Sequence, residues 1–397
     1  MGYRDRERGF AHRLFVLTMA SLAFGCVGVE STANMDSRPD NGQRTAVATR
    51  ILIVGQDLDA IRGYMASDCC IRPDGLTAYL DLYNLLKPGN FGGLGIDANG
   101  EPLDFEMSWG AGSVSAYRTA TEFGTRDIAI GLSITENEHP GGLQRVVDGA
   151  HDAEIRQLAR FAGLVDGRIY LRIGYEFDGA WNHGYWDHDK YVAAYRRIVD
   201  VLRAEGAENV EYVLQASAAG VDEIIDGGRE NIAQWYPGDD YVDWLALSWF
   251  MNPDERSIVP QSNFTPLTPG ELADEVLMLA REKGKPLMIA EASPQAMDLN
   301  ERFTANHSPL WDGAAASGRT SMTDDEIWDY WFAPLFAYMK KHRDVIHALA
   351  YINVDWDSQA MWGPPYANGY WGDSRLETNP EIAKRFNAAI ENWKNEE

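Results

Sequence analysis

Three cysteines in 397 residues are too few for a disulfide framework. Cys26 closes an N-terminal apolar run, and Cys69 and Cys70 are adjacent, where a mutual bond would close a strained ring. The fold must therefore stand on its apolar core. No Cys-His signature accompanies the pair, so thiol catalysis is not expected. Basic charge is also scarce: 35 Lys and Arg against 60 Asp and Glu leave −25, a surface that repels polyanions and excludes nucleic acid as an expected partner. The chain has neither a Gly-x-Ser-x-Gly elbow nor a Walker loop, which removes esterase and NTPase readings. Gly93 to Glu101 matches neither a dinucleotide turn nor a complete calcium loop and reads as a surface loop. His183, His188 and Asp189 are better explained by a helix start than by a metal, so no metal or cofactor is expected. What is abundant is aromatic: 13 Trp, 18 Tyr and 14 Phe, with many Trp beside Gly, Asn and Asp in loop-like text. Flat apolar rings with polar rims suit sugar faces.

The N-terminus reads as an export signal. Arg4, Arg6, Arg8 and Arg13 precede an apolar run from Leu14 to Phe24 that is too short to span a bilayer. Leu22-Ala23-Phe24-Gly25-Cys26 resembles a bacterial lipoprotein box with Cys26 as the acyl acceptor, although the small Ala23 and Gly25 also permit ordinary signal-peptidase cleavage. Residues 1–25 are thus expected to be removed and 26–48, polar and aperiodic, to form a flexible tether. The expected location is across the inner membrane, anchored at the cell envelope through lipid only, or otherwise periplasmic or extracellular. A monomer is expected.

From residue 49 onward, short apolar runs alternate with longer amphipathic stretches, the signature of repeated βα units. Candidate strands are 51–55, 103–109, 127–133, 169–175, 210–215, 242–249, 286–291 and 346–354. Helical patterns cover 152–164, 189–205, 269–283, 324–341 and 380–393, with Asp189, Thr268 and Thr323 placed as N-caps. Eight strands with intervening helices predict one (β/α)₈ TIM barrel over 49–397, with a doubly wound open sheet as the alternative. A barrel carries its chemistry at strand C-termini. Polar and aromatic residues collect there: Gln56 and Asp57, Trp109, Glu176 to Asp178, Gln215, Ser248 to Phe250, Glu291, and Asn353 to Trp356.

Strands four and seven each end an apolar run in a glutamate, Glu176 and Glu291. Isolated carboxylates at such positions are costly unless something uses them. At the mouth of one barrel they supply the two carboxyl groups that glycoside hydrolysis needs. Arg172 shares the parity of Glu176 on an extended strand and is expected to point inward, where its guanidinium favours an ionised carboxylate nearby.

The stretch Arg172-Ile-Gly-Tyr-Glu176-Phe-Asp-Gly-Ala-Trp181-Asn resembles the strand-four motif of glycoside hydrolase family 26, retaining β-mannanases and their relatives. Tyr236 to Leu247 resembles the approach to strand six, and Lys285-Pro-Leu-Met-Ile-Ala-Glu291 the nucleophile strand. The resemblance implies a (β/α)₈ barrel, Glu176 as acid/base, Glu291 as nucleophile, and a β-linked polysaccharide as substrate. Some residues depart from the family pattern. Tyr175 stands where His is usual, Phe177-Asp178 replaces Met-Asn, Ala292-Ser293 replaces Phe-Gly, and strand six lacks the Tyr that commonly bonds the nucleophile. These changes surround the cleaved sugar and bear on specificity.

Candidate stacking platforms are Trp181, Trp249, Trp356, Trp362 and Trp371. Tyr175, Asp178, Asn182, His183 and Asp355, with Arg172, complete the expected sugar-binding set. A catalytic glycosidase is the expected function, and a non-catalytic glycan-binding protein on the same barrel is the alternative.

Overall fold

The computed structural model describes residues 49–220, 231–255, 265–305, 318–366 and 369–395; the leader, Cys26 and the tether lie outside the described residues. Eight parallel strands close a barrel in sequential order. They are β1 (Ile51–Gly55), β2 (Gly75–Asp81), β3 (Asp127–Ser133), β4 (Ile169–Ile173), β5 (Val210–Ala216), β6 (Trp244–Trp249), β7 (Leu287–Ala292) and β8 (Ile346–Ile352). Alternation along each strand sends one set of side chains inward and the other under the helices. The inward set is Ile51, Ile53, Ala129, Tyr170, Val213, Trp244, Ala246, Met288, Ala290, Ala348 and Ala350. Small alanines leave room for the two large rings, Tyr170 and Trp244, which meet edge to face at 5.5 Å and plug the interior.

The helices 152–164, 269–283 and 380–393 are found at Asp152–Ala162, Pro269–Lys283 and Pro380–Asn395. Thr268 and Thr323 each form a capping box with the glutamate three residues on. The helix His188–Ala204 is capped by Asp187, whose carboxylate accepts the Lys190 N–H, and not by Asp189 as expected. The pattern at 324–341 is α-helical at its ends with a π turn, Trp328–Phe332, between them.

One strand needs correction. The second barrel strand is Gly75–Asp81, not 103–109. Only Met107–Ser108 of the expected segment is extended, in a two-residue hairpin with Ser113–Val114. The alternating Asp104 and Glu106 are ion-pair partners in a loop: Arg118 pairs with both, and Arg62 pairs with Glu106 at 2.6 Å.

Two local departures from regular strand geometry shape the barrel mouth. In β7 the register runs Leu247↔Ile289 and then Ser248↔Glu291, and β8 shows the same extra residue between Ile289 and Ala292. Ala290 already faces inward, so simple alternation would send Glu291 outward; the bulge turns it into the barrel. At the end of β4, strand geometry stops at Ile173, and both Gly174 (φ 56°) and Glu176 (φ 53°) are left-handed. Left-handed backbone is uncommon for a residue with a side chain and clusters where function has use for it.

Candidate active site

Arg172 is fully buried inside the barrel. Its register partner on β3 is Gly131, and a Cβ there would come within 2.7 Å of the Tyr79 ring and 3.0 Å of Arg172 Nη2, so only glycine leaves space for this packing. The Tyr79 and Tyr175 ring centroids lie 5.0 and 5.4 Å from the guanidinium carbon, and the two rings meet edge to face at 5.6 Å. Nη1 of Arg172 donates to Glu291 Oε1 at 2.5 Å and to Gln215 Oε1 at 2.9 Å. The guanidinium therefore serves Glu291 and not Glu176. The parity argument that joined Arg172 to Glu176 fails because Glu176 sits on a turn, beyond the end of the strand.

Glu176 is half-buried, and each of its oxygens receives a hydrogen bond. Ser248 Oγ lies 2.8 Å from Oε1, and Trp181 Nε1 donates to Oε2 at 3.2 Å. Burial first, then the negative field of Glu291, pushes the Glu176 carboxyl up to about 8, against the lowering pull of those hydrogen bonds. Both causes favour the protonated form of Glu176. Burial and the field of Glu291 also raise the Tyr79 phenol well above its ordinary value, leaving a neutral hydroxyl beside the ion pair.

The turn that presents Glu176 is fixed from two sides. The Tyr191 hydroxyl, on the following helix, reaches the carbonyl oxygens of Ile173 (2.9 Å) and Gly174 (3.1 Å). Asn182 donates to the carbonyls of Glu176 at 2.9 Å and Tyr175 at 3.4 Å. Asp178 accepts the Ser217 N–H at 2.6 Å, tying the loop to the end of β5. Asn182 and Asp178, expected to bind sugar hydroxyls, thus brace the backbone around Glu176.

The remaining expected contacts divide. Trp181 is 36% exposed and presents its ring beside Glu176. His183 is exposed in the same loop, its ring 5.7 Å from Trp186, which is 62% exposed. Trp249 requires correction: it is buried on the outer face of β6 against Tyr338 (5.0 Å), in the layer between strand and helix, and offers no platform. Trp356 and Trp371 are also buried, packed together at 4.9 Å, and Trp356 Nε1 donates to Ser293 Oγ at 3.2 Å just past β7. They form a wall beneath the surface, over which the partly exposed Trp362 packs. Asp355, expected at the sugar, lies 3.6 Å from Arg375 in an ion pair.

Three residues in this centre were not among those expected. Gln215 and Ser248 were visible as polar residues after strands, but nothing in the sequence joined them to the two glutamates. Tyr79 was hidden because its strand was placed elsewhere. Among the described residues no cluster of His, Cys, Asp and Glu is arranged to hold a metal ion, and no helix is long and apolar enough to cross a membrane.

The fold and site define a (β/α)₈ barrel that brings together, at the ends of β4 and β7, one glutamate whose carboxyl is pushed up by burial and one glutamate paired with arginine. Comparison with known proteins finds relatives over most of the chain. It is 32% identical to a β-1,3-xylanase from Alcaligenes sp over 87% of its length and 33% identical to the β-1,3-xylanase TXYA from Vibrio sp over 86%. It spans 64% of the length of each. Among solved structures, a modular endo-β-1,4-mannanase from Cellulomonas fimi, described with the family 26 mannanases, aligns over 87% of this chain and 71% of that one at 15% identity, with a TM-score of 0.49. No family model matches. The chain thus resembles glycoside hydrolase family 26 in its strand-end motifs and two β-1,3-xylanases over nearly all of its barrel.

Proposed function

We propose that this chain is a divergent, retaining glycoside hydrolase of family 26 type that cleaves a β-linked polysaccharide internally, with β-1,3-xylan as the foremost substrate. The observation that carries the reading is the separation of two glutamates by environment: Glu291 in an ion pair with buried Arg172, and Glu176 held as an acid by burial and by the charge of Glu291. In the first step Glu291 attacks the anomeric carbon while Glu176 gives its proton to the departing glycosidic oxygen, leaving a glycosyl ester on Glu291. In the second, Glu176 takes a proton from water, which attacks the same carbon and releases Glu291. The names of the two xylanase relatives support the choice of β-1,3-xylan. The departures from the mannanase pattern at Tyr175, Phe177, Asp178, Ala292 and Ser293 flank the two glutamates in the sequence. Trp181 offers the exposed ring beside the acid for stacking on a pyranose face.

The test is reducing-sugar release from β-1,3-xylan, β-1,4-mannan, β-1,4-xylan and β-1,3-glucan, with the anomer of the first products read by NMR. The expected result is oligosaccharide release from β-1,3-xylan as the β anomer. An α anomer would overturn retention, and binding without turnover on every polysaccharide would make the barrel a glycan-binding protein.

For its location we propose export and lipidation at Cys26, with residues 26–48 as the tether. The mature chain, at −27 after loss of a +2 leader (four Arg against Asp5 and Glu7), is repelled by anionic lipid, so anchoring depends on acyl chains. Cys26→Ser is expected to move the protein from the membrane fraction to the soluble fraction; membrane association that survives the change would overturn the lipoprotein reading.

A further inference from the structure

We propose that Gln215 and Ser248 are positioning residues, forming a relay that joins the Arg172–Glu291 pair to Glu176 and orients the acid through a hydroxyl able to reverse its hydrogen bond. The inference rests on the assignment of Glu176 and Glu291 given above.

The chain of contacts is continuous. Arg172 Nη1 donates to Gln215 Oε1 (2.9 Å), Gln215 Nε2 lies 3.0 Å from Ser248 Oγ, and Ser248 Oγ lies 2.8 Å from Glu176 Oε1. The direction follows from donor chemistry. A guanidinium has no acceptor, so the amide must present its oxygen to Arg172 and its NH₂ to Ser248. Ser248 Oγ accepts that bond and keeps one hydrogen and one lone pair for Glu176. With Glu176 ionised, the hydroxyl donates to it; with Glu176 protonated, the hydroxyl accepts from it. Trp181, bonded to the other oxygen, can only donate. Ser248 is therefore the partner whose bond can run in either direction as the acid/base changes state, whereas Trp181 donates to Oε2 in both.

Burial strengthens the relay. Arg172, Gln215 and Ser248 are 0%, 0% and 3% exposed, so water does not compete for these bonds. The register supports it as well, because Ser248 pairs directly with Glu291 across β6 and β7 while its side chain reaches Glu176 on the far side of β5. The charged or titratable groups that act on Glu176 are Glu291 on β7 and Asp178 in its own loop, with Tyr175 beside it and Arg172 behind Gln215. None of these touches Oε1 of Glu176 in place of Ser248.

The experiment uses the full chain in four forms: parent, Ser248→Ala, Ser248→Thr and Gln215→Glu. Glu176 is titrated by ¹³C NMR of carboxyl-labelled glutamate, its signal assigned by its loss in Glu176→Gln, and the pH–rate profile of kcat/KM is recorded on β-1,3-xylan. Losing a hydrogen bond to the ionised form raises the carboxyl further, so Ser248→Ala is expected to shift the Glu176 titration and the alkaline limb upward by about one unit. kcat is expected to fall about tenfold, because the hydroxyl orients Glu176 in both steps. Gln215→Glu still accepts from Arg172 but draws the Ser248 hydrogen to itself, and is expected to reproduce the upward shift. Ser248→Thr keeps the hydroxyl and is expected to keep the parent titration. An unshifted titration in Ser248→Ala, or an equal shift in Ser248→Thr, overturns the relay, and the NMR readout does so without reference to activity. Undiminished turnover in Glu176→Gln would instead overturn the catalytic assignment.

Discussion

Glu291→Ala is expected to lower turnover on the order of 10⁴- to 10⁶-fold, the range seen when a member of a nucleophilic catalytic unit is removed. Glu291 combines an inward position on β7 with a guanidinium partner, at 2.5 Å and 9% side-chain exposure. No neighbour can take over the attack: Tyr79 remains a neutral phenol, and Glu176 is held as an acid on the opposite side of Gln215 and Ser248. Truncation leaves space beside Arg172 for a small anion. Added azide is therefore expected to restore release of the leaving group and to give a glycosyl azide of inverted anomeric configuration, because it enters from the face that Glu291 occupied. Glu176→Ala with azide is expected to give the azide of retained configuration, since there the anion replaces the water of the second step. Activity of Glu291→Ala within about tenfold of the parent, ~1.4 kcal/mol in barrier, would remove its catalytic assignment.

The largest effect on stability is expected from Arg172→Met. The substitution keeps roughly the volume and the inward packing against Tyr79 and Tyr175, but leaves Glu291 buried without its counter-ion and Gln215 without its donor. Removing one partner of a buried pair costs about 3–5 kcal/mol. For a domain of this size that corresponds to a fall in Tm of roughly 10 °C. The double substitution Arg172→Met with Glu291→Leu removes both charges and is expected to recover most of that loss while remaining inactive, because the penalty comes from the orphaned charge. Thermal and urea unfolding of the two variants beside the parent measure this. A single variant as stable as the parent would mean that the pair contributes nothing to the fold.

The strands other than β2 were legible because their runs are apolar on both faces, as in Ile169-Tyr170-Leu171 and Leu287-Met288-Ile289, and only a strand buried between barrel interior and helices reads that way. β2 escaped because Gly75-Leu-Thr-Ala-Tyr-Leu-Asp puts glycine, threonine and tyrosine on its inner face, while the loop at 103–109 imitates alternation with Asp104 and Glu106, charges that Arg62 and Arg118 neutralise from elsewhere in the chain. A local pattern cannot reveal partners this distant in sequence. Trp249 misled in the same way: it stands at a strand end, but its parity turns it outward under Tyr338.

What the sequence by itself determined is the barrel and the identity of the two glutamates, because an apolar run ending in a carboxylate is a local signal and two of them in βα units belong at one mouth. Tertiary structure decided how those glutamates are placed. The bulge at β7 turns Glu291 inward, the left-handed turn after β4 lifts Glu176 off its strand, and closure of the barrel brings Arg172, Gln215 and Ser248 from three strands into one hydrogen-bonded line. Each of these depends on register between strands tens of residues apart, and register is a property of the closed sheet that no single segment carries.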